Sequence, residues 1–586
     1  MKSHSRNAVV TVLAFATLGI TSAGDHPKNQ VSEYNAEVPK TILELQQFRR
    51  TNSIRIKSKE GRPGSATLVD LNPAINSWYL LKVAWAGGGT ETIYHLENAK
   101  PKLQKLLLDD NYPWGLVIAA GKERYSCDLF GADALAQAKT SRLIFQPLCG
   151  GRLYLRNAAT GHRTTLEAAT DFLREHVWGG EKIIALGHEL MGEIHRETGK
   201  IQTKSAAGAR AGGDLPLAAQ IDPKYCDRLL TSSNLGLDLG GPEKTGMIPG
   251  AWYPASGNPG VYVSIVQPNL IDPPILESYA KVVSNLDRIE ASALSYLIAF
   301  DLDRFDLGFA LGTEHPKVGW SDRVPEPARN PKLPGPDGIG SIAPLVSTGL
   351  VNPENAPRTV AAFTAGFKRT HGAFKYGDLA LKHHGSHYGF IEDGVVFSKL
   401  QPGLATILVL DDGSILMKTW SEADNQLLPR IKHARQNGVP LVEIDEATQS
   451  TVPGRLVARW GPGNWSGSED AKLRTLRSGA AVQRNHGKRF LIYAVFSDTT
   501  PSAMARVFQA YRCDYAMLLD MNALEHTYLA LYRRLGSRLS IDHLIKGMSQ
   551  VDKSASSGEP LPRFLAYPDN RDFFYVMQRQ AQEVKP

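Results

Sequence analysis

The chain has 586 residues, 42% of them hydrophobic and 21% charged, so it can bury large cores and lacks the composition of a disordered protein. The formal net charge is +7, and Lys2 and Arg6 near the N-terminus contribute two of these charges. This charge is mild for the length, and no Lys/Arg block interleaved with aromatic residues occurs. The composition therefore argues against a nucleic-acid partner.

Residues 1–23 have the layout of a secretory signal peptide. A short basic start precedes the apolar run from Ala8 to Ile20, and Thr21-Ser22-Ala23 supplies small residues for cleavage. The run is shorter than the roughly 20 residues that a membrane-spanning helix needs, and no later segment is long and apolar enough to span. We therefore predict a secreted or periplasmic protein with no transmembrane segment after the signal peptide; an uncleaved anchor is the alternative.

Residues 24–200 are expected to form a β-rich N-terminal domain. Strand-like runs recur in it, such as SWYLLKVAW (77–85) and GLVIAAG (115–121). One helix is predicted as well, because Thr164 and Glu167 have the spacing of a capping box before apolar residues at helical intervals.

Four cysteines, at positions 127, 149, 226 and 513, suggest disulfides in an exported chain. Cys127 and Cys149 bracket one local loop and are the better candidates. A Cys226–Cys513 bond would join distant segments and is the weaker prediction. No Cys/His spacing typical of structural zinc occurs.

The rest of the chain is predicted to hold an Ala/Gly-rich linker at 201–225, a second domain at 226–540 and a C-terminal tail at 541–586, in which VDKSASSGEP (551–560) is expected to be exposed. Strand-like and helix-like segments alternate in the second domain, so the predicted fold class is α+β with a mixed α/β C-terminal domain. Asp412-Gly413 indicates a hairpin turn, and Thr499 or Thr500 before Pro501 indicates a helix start. That helix leads into a buried strand, 515–519, which ends at Asp520.

The segment KHHGSH (382–387) contains three histidines, His383, His384 and His387. They have the chemistry to bind a divalent metal or to contact an anionic substrate. A polar loop is the other interpretation, since no carboxylate lies at ligand spacing. No cofactor is required by the sequence, and a metal stays possible.

Four stretches in order give the chain a family resemblance. AAFTAGFKRTHG (361–372), YGFIEDGVV with TILVLDDGSILM, LRSGAAVQRNHGKRFLIYAVFS (476–497) and DYAMLLDMNALEHTYL resemble segments of the phosphodiester glycosidases. About half of the chain is covered, and the N-terminal domain is not. The resemblance implies a related C-terminal domain with a cleft for a carbohydrate or sugar-phosphate ligand.

The same resemblance assigns roles to single residues. Asp520 matches the family's site aspartate, as acid, base or charge stabiliser, and Arg477 matches the arginine that would clamp a phosphodiester. A structural acid that caps a turn is the other interpretation of Asp520. Gly366 and Phe367 match positions that line the cleft.

Three departures from the family pattern alter this site. Thr364 replaces the family's Asn, Ala365 replaces its first Gly, and Met-Asn-Ala-Leu follows Asp520 where the family has Gly-Gly-Gly-Ser. Asn522 can still adopt the left-handed conformation that glycine favours. Glu525 and His526 can supply new polar groups.

These patterns predict an exported hydrolase that cleaves a sugar phosphodiester or cell-envelope glycan linkage. A non-catalytic binding protein for a glycan or phosphate, which keeps the fold but has lost the glycine-rich turn, is the alternative, and an envelope scaffold is the third. The predicted catalytic residues are Asp520, Arg477, His526 and Glu525. The predicted substrate-binding residues are Thr364, Gly366, Phe367, His384, His387 and Asn522.

Overall fold

The structure is a computed structural model of the chain. It describes residues 27–36, 39, 41–58, 60–87, 89–131, 134–165, 167–169, 199–202, 214–316, 318–320, 324–336, 338–367, 381, 388–459, 472–536 and 538–580. The predicted signal peptide, the KHHGSH histidines and the predicted helix beyond residue 169 lie outside these ranges.

The protein is β-rich, and the predicted α+β class is wrong. Strands make up 39% of the described residues and helices 16%, and the strands form seven antiparallel sheets there. The apolar runs of residues 226–540 pair with antiparallel neighbours, whereas the longest α-helix among the described residues has only ten residues. The α-helices are α1 (Pro27–Asn35), α2 (Ala134–Thr140), α3 (Pro242–Thr245), α4 (Pro273–Glu277), α5 (Arg288–Ser292) and α6 (Pro501–Ala510). Short 3-10 helices lie at Ile42–Leu45, Cys149–Gly151, Pro223–Tyr225, Pro268–Leu270, Glu326–Ala328, Ala356–Arg358, Glu422–Arg430 and Lys546–Val551.

The strands follow one another closely along the chain. Those before residue 320 are β1 (Arg50–Lys57), β2 (Pro63–Asp70), β3 (Trp78–Trp85), β4 (Thr92–Asn98), β5 (Lys105–Leu107), β6 (Gly115–Ala120), β7 (Glu123–Asp128), β8 (Phe145–Leu148), β9 (Leu153–Arg156), β10 (Lys200–Gln202), β11 (Leu229–Thr231), β12 (Tyr253–Pro254), β13 (Val261–Val266), β14 (Ser295–Asp301) and β15 (Phe305–Ala310). The later ones are β16 (Thr359–Thr364), β17 (Phe390–Glu392), β18 (Val395–Ser398), β19 (Ala405–Leu410), β20 (Ile415–Thr419), β21 (Ile431–Gln436), β22 (Pro440–Ile444), β23 (Thr451–Pro453), β24 (Thr475–Asn485), β25 (Lys488–Thr499), β26 (Tyr515–Met521), β27 (Leu529–Leu535), β28 (Arg538–His543), β29 (Lys553–Ser554), β30 (Pro560–Leu561) and β31 (Phe573–Gln578).

Two sheets position the site described below. The larger has eight strands in the order β12-β13-β14-β25-β24-β26-β22-β23, and the other has five in the order β15-β31-β16-β27-β28. Phe363 of β16 packs on Tyr493 of β25 with ring centroids 4.7 Å apart, so the two sheets meet through their aromatic faces. The predicted C-terminal tail, 541–586, supplies β31, which is an inner strand of the five-stranded sheet.

The N-terminal strands form a sheet in the order β1-β2-β3-β4-β9-β8, with β5-β6-β7 as a separate three-stranded sheet. Side chains alternate along β3. Tyr79 and Leu81 join an apolar core made only of N-terminal residues, whereas Trp78 and Leu80 join the large core shared with the rest of the chain. One sheet thus separates the two cores.

A buried cluster of one arginine and two glutamates also joins the N-terminal sheet to the C-terminal part of the chain. Arg156 of β9 pairs with Glu97 of β4, and its Nη2 lies 4.0 Å from Oε1 of Glu392 in β17. All three side chains are at most 5% exposed. Burial raises the pKa of Glu392 to about 8, with Arg156 opposing the rise and Asp393 adding to it.

Several local predictions are confirmed. The hairpin at Asp412-Gly413 joins β19 to β20, with Gly413 at φ 86°. Helix α6 begins at Pro501, where the Thr500 hydroxyl accepts a hydrogen bond from the Ala503 amide. Among the described helices none combines the length and apolar character needed to cross a membrane.

The Cys127–Cys149 disulfide is confirmed. The second predicted disulfide is wrong, because Cys226 is exposed, Cys513 is buried two residues before β26, and both are free thiols.

Removing the disulfide by Cys127→Ser and Cys149→Ser is expected to lower the free energy of unfolding by about 3 kcal/mol. The bond closes a loop across a sequence separation of 22, which restricts the unfolded chain. Denaturant unfolding measures the change. Cys226→Ser, at the exposed free thiol, is the control and should change stability by less than about 0.5 kcal/mol; an equal loss in both proteins would contradict the prediction.

Candidate functional site

A buried arginine joins two carboxylates where strand β26 ends. Arg571 Nη1 donates to Asp520 Oδ2 at 2.5 Å, and Arg571 Nη2 donates to Glu167 Oε1 at 3.1 Å. These three side chains are at most 5% exposed. Burial works to lower the pKa of Arg571, but the facing carboxylates outweigh it and raise the pKa above its ordinary value. The guanidinium is therefore a fixed positive charge between acids.

His526 also contacts this arginine. Its Nδ1 lies 2.7 Å from the Met521 carbonyl oxygen, and its Nε2 lies 2.5 Å from Arg571 Nη2. A carbonyl only accepts and a guanidinium only donates, so the imidazole is neutral with its proton on Nδ1. With 16% of its side chain exposed, His526 is closer to solvent than the groups around it.

Glu525 lies beside this imidazole, with Oε1 4.0 Å from His526 Nε2. The Thr164 hydroxyl donates to the same oxygen at 3.3 Å. We name Arg571, Asp520, Glu167, Glu525 and His526 the Arg571 cluster. It brings three acids, one cation and one neutral imidazole together.

The turn after β26 is built around Asn522, which has φ 83°. This is the left-handed conformation that the sequence allowed for this residue in place of glycine. The backbone amide of Asn522 donates to the Leu476 carbonyl at 2.7 Å, and its side-chain oxygen accepts from the Thr475 hydroxyl at 3.0 Å. The turn returns the chain so that the His526 ring closes on Met521.

A second buried arginine fixes the segment that carries Arg571. Arg563 binds Asp569 through Nε at 2.7 Å and Nη2 at 3.2 Å, and its Nη1 donates to the Glu525 carbonyl at 3.0 Å. Asp569 Oδ1 also accepts from the Arg571 amide at 2.9 Å. The two arginines thereby tie the chain before β31 to the turn after β26.

The next residue, Asp572, is held in a separate buried contact. Its Oδ2 lies 2.7 Å from His315 Nδ1 and 2.9 Å from Arg435 Nε. Arg435 also donates to the Phe367 carbonyl at 2.7 Å. A Cβ on Gly366 would approach Arg435 Nη2 to 3.1 Å, so glycine permits the close packing there. The predicted residues Gly366 and Phe367 thus pack against Arg435.

Arg477 is not brought to Asp520. It is paired across the sheet with Met521, so its side chain shares a face with Met521 while Asp520, one residue earlier, faces the other side. Its guanidinium donates to the Thr499 carbonyl at 3.0 Å and the Leu473 carbonyl at 2.9 Å. Burial lowers the pKa of Arg477 to about 9.

Of the other predicted site residues, Thr364 lies beside the cluster, since its hydroxyl donates to the His526 carbonyl at 2.6 Å. Asp520, Glu525 and His526 are together. His384 and His387 fall outside the described residues.

Neither Arg571 nor the second role of Glu167 was predicted from the sequence. The Thr164 hydroxyl does accept from the Glu167 amide at 3.1 Å, as a helix cap should, but the Glu167 carboxylate binds Arg571 and Asn570. The segment DNRDFFYVM (569–577) offered a signal, because an arginine between acids directly precedes an apolar strand.

No group of three or more His, Cys, Asp or Glu side chains in the described part of the chain is placed to hold a metal ion. In the Arg571 cluster the guanidinium lies between the carboxylates of Asp520 and Glu167.

No family model matches the chain, and no curated protein matches it. Among solved structures, the catalytic domain of a zebrafish N-acetylglucosamine-1-phosphodiester alpha-N-acetylglucosaminidase, auto-inhibited by its pro-peptide, aligns with 56% of this chain and 85% of its own, at 12% identity and a TM-score of 0.28. A hypothetical protein from Synechocystis aligns with 86% of this chain and 97% of its own, at 11% identity and a TM-score of 0.23. Likenesses of this strength leave the assignment of function to the residues of the chain itself.

Proposed function

We propose that this protein is an exported hydrolase that cleaves a glycosidic linkage of a cell-envelope glycan at the Arg571 cluster. One observation carries the proposal: three carboxylates, Asp520, Glu167 and Glu525, converge beside one fixed guanidinium and a neutral imidazole. Hydrolysis of a glycosidic bond needs two carboxyl groups, one that donates a proton to the leaving oxygen and one that stabilises or attacks the anomeric carbon.

We assign these two roles from the hydrogen bonds that each carboxylate accepts. Asp520 accepts from Arg571 Nη1 and from the Met521 amide at 2.9 Å, contacts that suit a carboxylate stabilising positive charge on the sugar. Among the described residues, the donor to the Glu525 carboxylate is the Thr164 hydroxyl, and Glu525 lies beside the partly exposed His526, so we assign it the role of proton donor. Glu167 positions Arg571.

The charges favour a neutral glycan over a sugar phosphodiester. The acids of the cluster outnumber its single arginine, and a phosphodiester anion brought here would meet their repulsion. Arg477, the predicted phosphate clamp, faces the other side of the sheet. The experiment described next still includes sugar phosphodiesters among its substrates.

The test compares turnover of aryl glycosides, envelope glycan fragments and sugar-1-phosphodiesters by the mature protein and by Asp520→Asn and Glu525→Gln. Each substitution is expected to lower turnover about 100- to 10,000-fold, since each removes a carboxyl group used in the reaction. A chelator arm tests the divalent metal that the KHHGSH histidines would hold.

Asp301→Asn is the matched control, because Asp301 is another buried acid at a strand end, where it accepts from the Asp303 amide at 2.9 Å. It should keep full turnover. Unchanged turnover in folded Asp520→Asn would remove the cluster from the reaction.

The second candidate is a glycan-binding protein without turnover. The cluster's side chains other than His526 are at most 8% exposed, and Arg571 is hydrogen-bonded to Asp520 and Glu167, an arrangement that also suits a purely structural acid network. Binding of a glycan fragment by the folded wild-type protein, with no cleavage of any substrate, would favour this candidate.

A further inference from the structure

A pocket of about 410 Å³ lies beside the Cys127–Cys149 disulfide. This volume is within the range of about 300–1,000 Å³ typical of small-ligand sites. Its lining comes from β6, β7 and the loop Cys149–Arg152, and no residue of the Arg571 cluster takes part.

Arg152 is the polar feature of this pocket that points to a ligand. Its guanidinium carbon lies 4.0 Å from the centroid of the Tyr125 ring, so the planar group is stacked on the aromatic face. Among the described residues it makes no ion pair. A stacked guanidinium keeps its N–H donors available in a fixed plane, which matches the two oxygens of a carboxylate or phosphate.

Two other charged side chains near the pocket already have partners. Arg124 is paired with Asp109 at 2.7 Å, and Glu123 accepts a hydrogen bond from the Tyr125 hydroxyl. Arg152 is therefore the lining cation that an anion would meet.

The loop that carries Arg152 has an unusual backbone. Cys149, Gly150 and Gly151 have φ values of 52°, 66° and 78° in succession. Such a conformation is costly for the non-glycine Cys149, and the disulfide fixes this residue to β7. A Cβ on Gly150 would lie 3.4 Å from Arg152 Nη1, so the glycine leaves room above the guanidinium.

We propose that this pocket binds a small organic anion, such as an anionic sugar, through a carboxylate or phosphate placed on Arg152. This site is independent of the reaction proposed for the Arg571 cluster. It gives the N-terminal domain a recognition role of its own.

The experiment titrates the full-length mature protein with glucuronate, glucose 1-phosphate and neutral glucose by calorimetry at low salt. The two anions separate a carboxylate from a phosphate source; binding of either, with none of glucose, supports the site. Arg152→Gln should weaken anion binding about tenfold or more, and Arg152→Lys should weaken it less, because the charge stays while the planar fork is lost.

Arg62→Gln is the matched control, since Arg62 lies over the Trp85 ring in the same domain but outside the pocket. It should bind like the wild type. Circular dichroism and thiol titration verify folding and the disulfide. Absence of anion binding, equal binding of glucose, or equal affinities of folded Arg152→Gln and wild type would overturn the proposal. Arg152→Gln should keep the wild-type turnover, since Arg152 lies outside the Arg571 cluster. Anion binding and turnover are therefore tested separately.

Discussion

Replacing Arg571 with methionine is expected to lower the free energy of unfolding by about 3–5 kcal/mol. The guanidinium is the cation that binds both Asp520 and Glu167, and these side chains are at most 5% exposed. Removing one partner of a buried ion pair leaves uncompensated charge in a medium that solvates it poorly. Denaturant unfolding at neutral pH, with the slope of the transition checked against the wild type, measures the loss.

If stranded charge causes this loss of stability, removing the charged groups should restore stability. Adding Asp520→Asn and Glu167→Gln to Arg571→Met removes the stranded charges and should recover a large part of the loss. Arg163→Met is the matched control, since Arg163 pairs with Glu314 but is 44% exposed, and it should cost less than about 1 kcal/mol. A triple variant as unstable as Arg571→Met would mean that lost packing, and not charge, explains the effect.

Glu392→Gln is expected to make the protein more stable at pH 8 and above. Burial raises the pKa of Glu392 from 4.5 to about 8, so the folded state holds the proton more tightly than the unfolded state does. Stability from this group is fully present below pH 4.5 and falls as the pH rises from 4.5 to 8. At about 1.4 kcal/mol for each pKa unit, the penalty above pH 8 reaches up to about 5 kcal/mol.

Unfolding free energies measured from pH 4.5 to 9 test this prediction. The glutamine can still accept from the Leu311 amide, which donates to Glu392 Oε2 at 3.2 Å, and it does not titrate. The gain over wild type should therefore grow through this window and then level off. Glu422→Gln, at an exposed acid, should give a flat difference. A gain that is already complete at pH 4.5 would contradict a proton-linked cause.

Local sequence signals predicted the elements that depend on neighbouring residues. Pro501 behind a capping threonine specifies α6, Asp412-Gly413 specifies the hairpin turn, and the apolar run before Asp520 specifies β26. Even the unusual backbone at Asn522 could be anticipated, because asparagine tolerates positive φ.

The remaining features of the fold and of the site depend on pairing between strands that are far apart in the sequence, which local signals do not encode. Arg571 reaches Asp520 because β31 inserts between β15 and β16, strands more than 200 residues earlier. The side on which Arg477 lies depends on an irregularity in the pairing of β24 with β26 between Arg477 and Gly479. A one-residue change of register reverses the face of every side chain, so spacing in the sequence could not place Arg477 beside Asp520.

The position of β31 bears on the order in which the protein can mature during synthesis. Domains fold as the chain emerges, N-terminal parts first. Glu167 and Asp520 leave the ribosome before Arg571, so until residue 571 arrives the nascent chain carries acids whose neutralising partner does not yet exist. The inner strand of the five-stranded sheet follows directly after it. Assembly of the acid cluster and closure of that sheet are therefore a single late event, and a chain cut short before residue 571 would lack both.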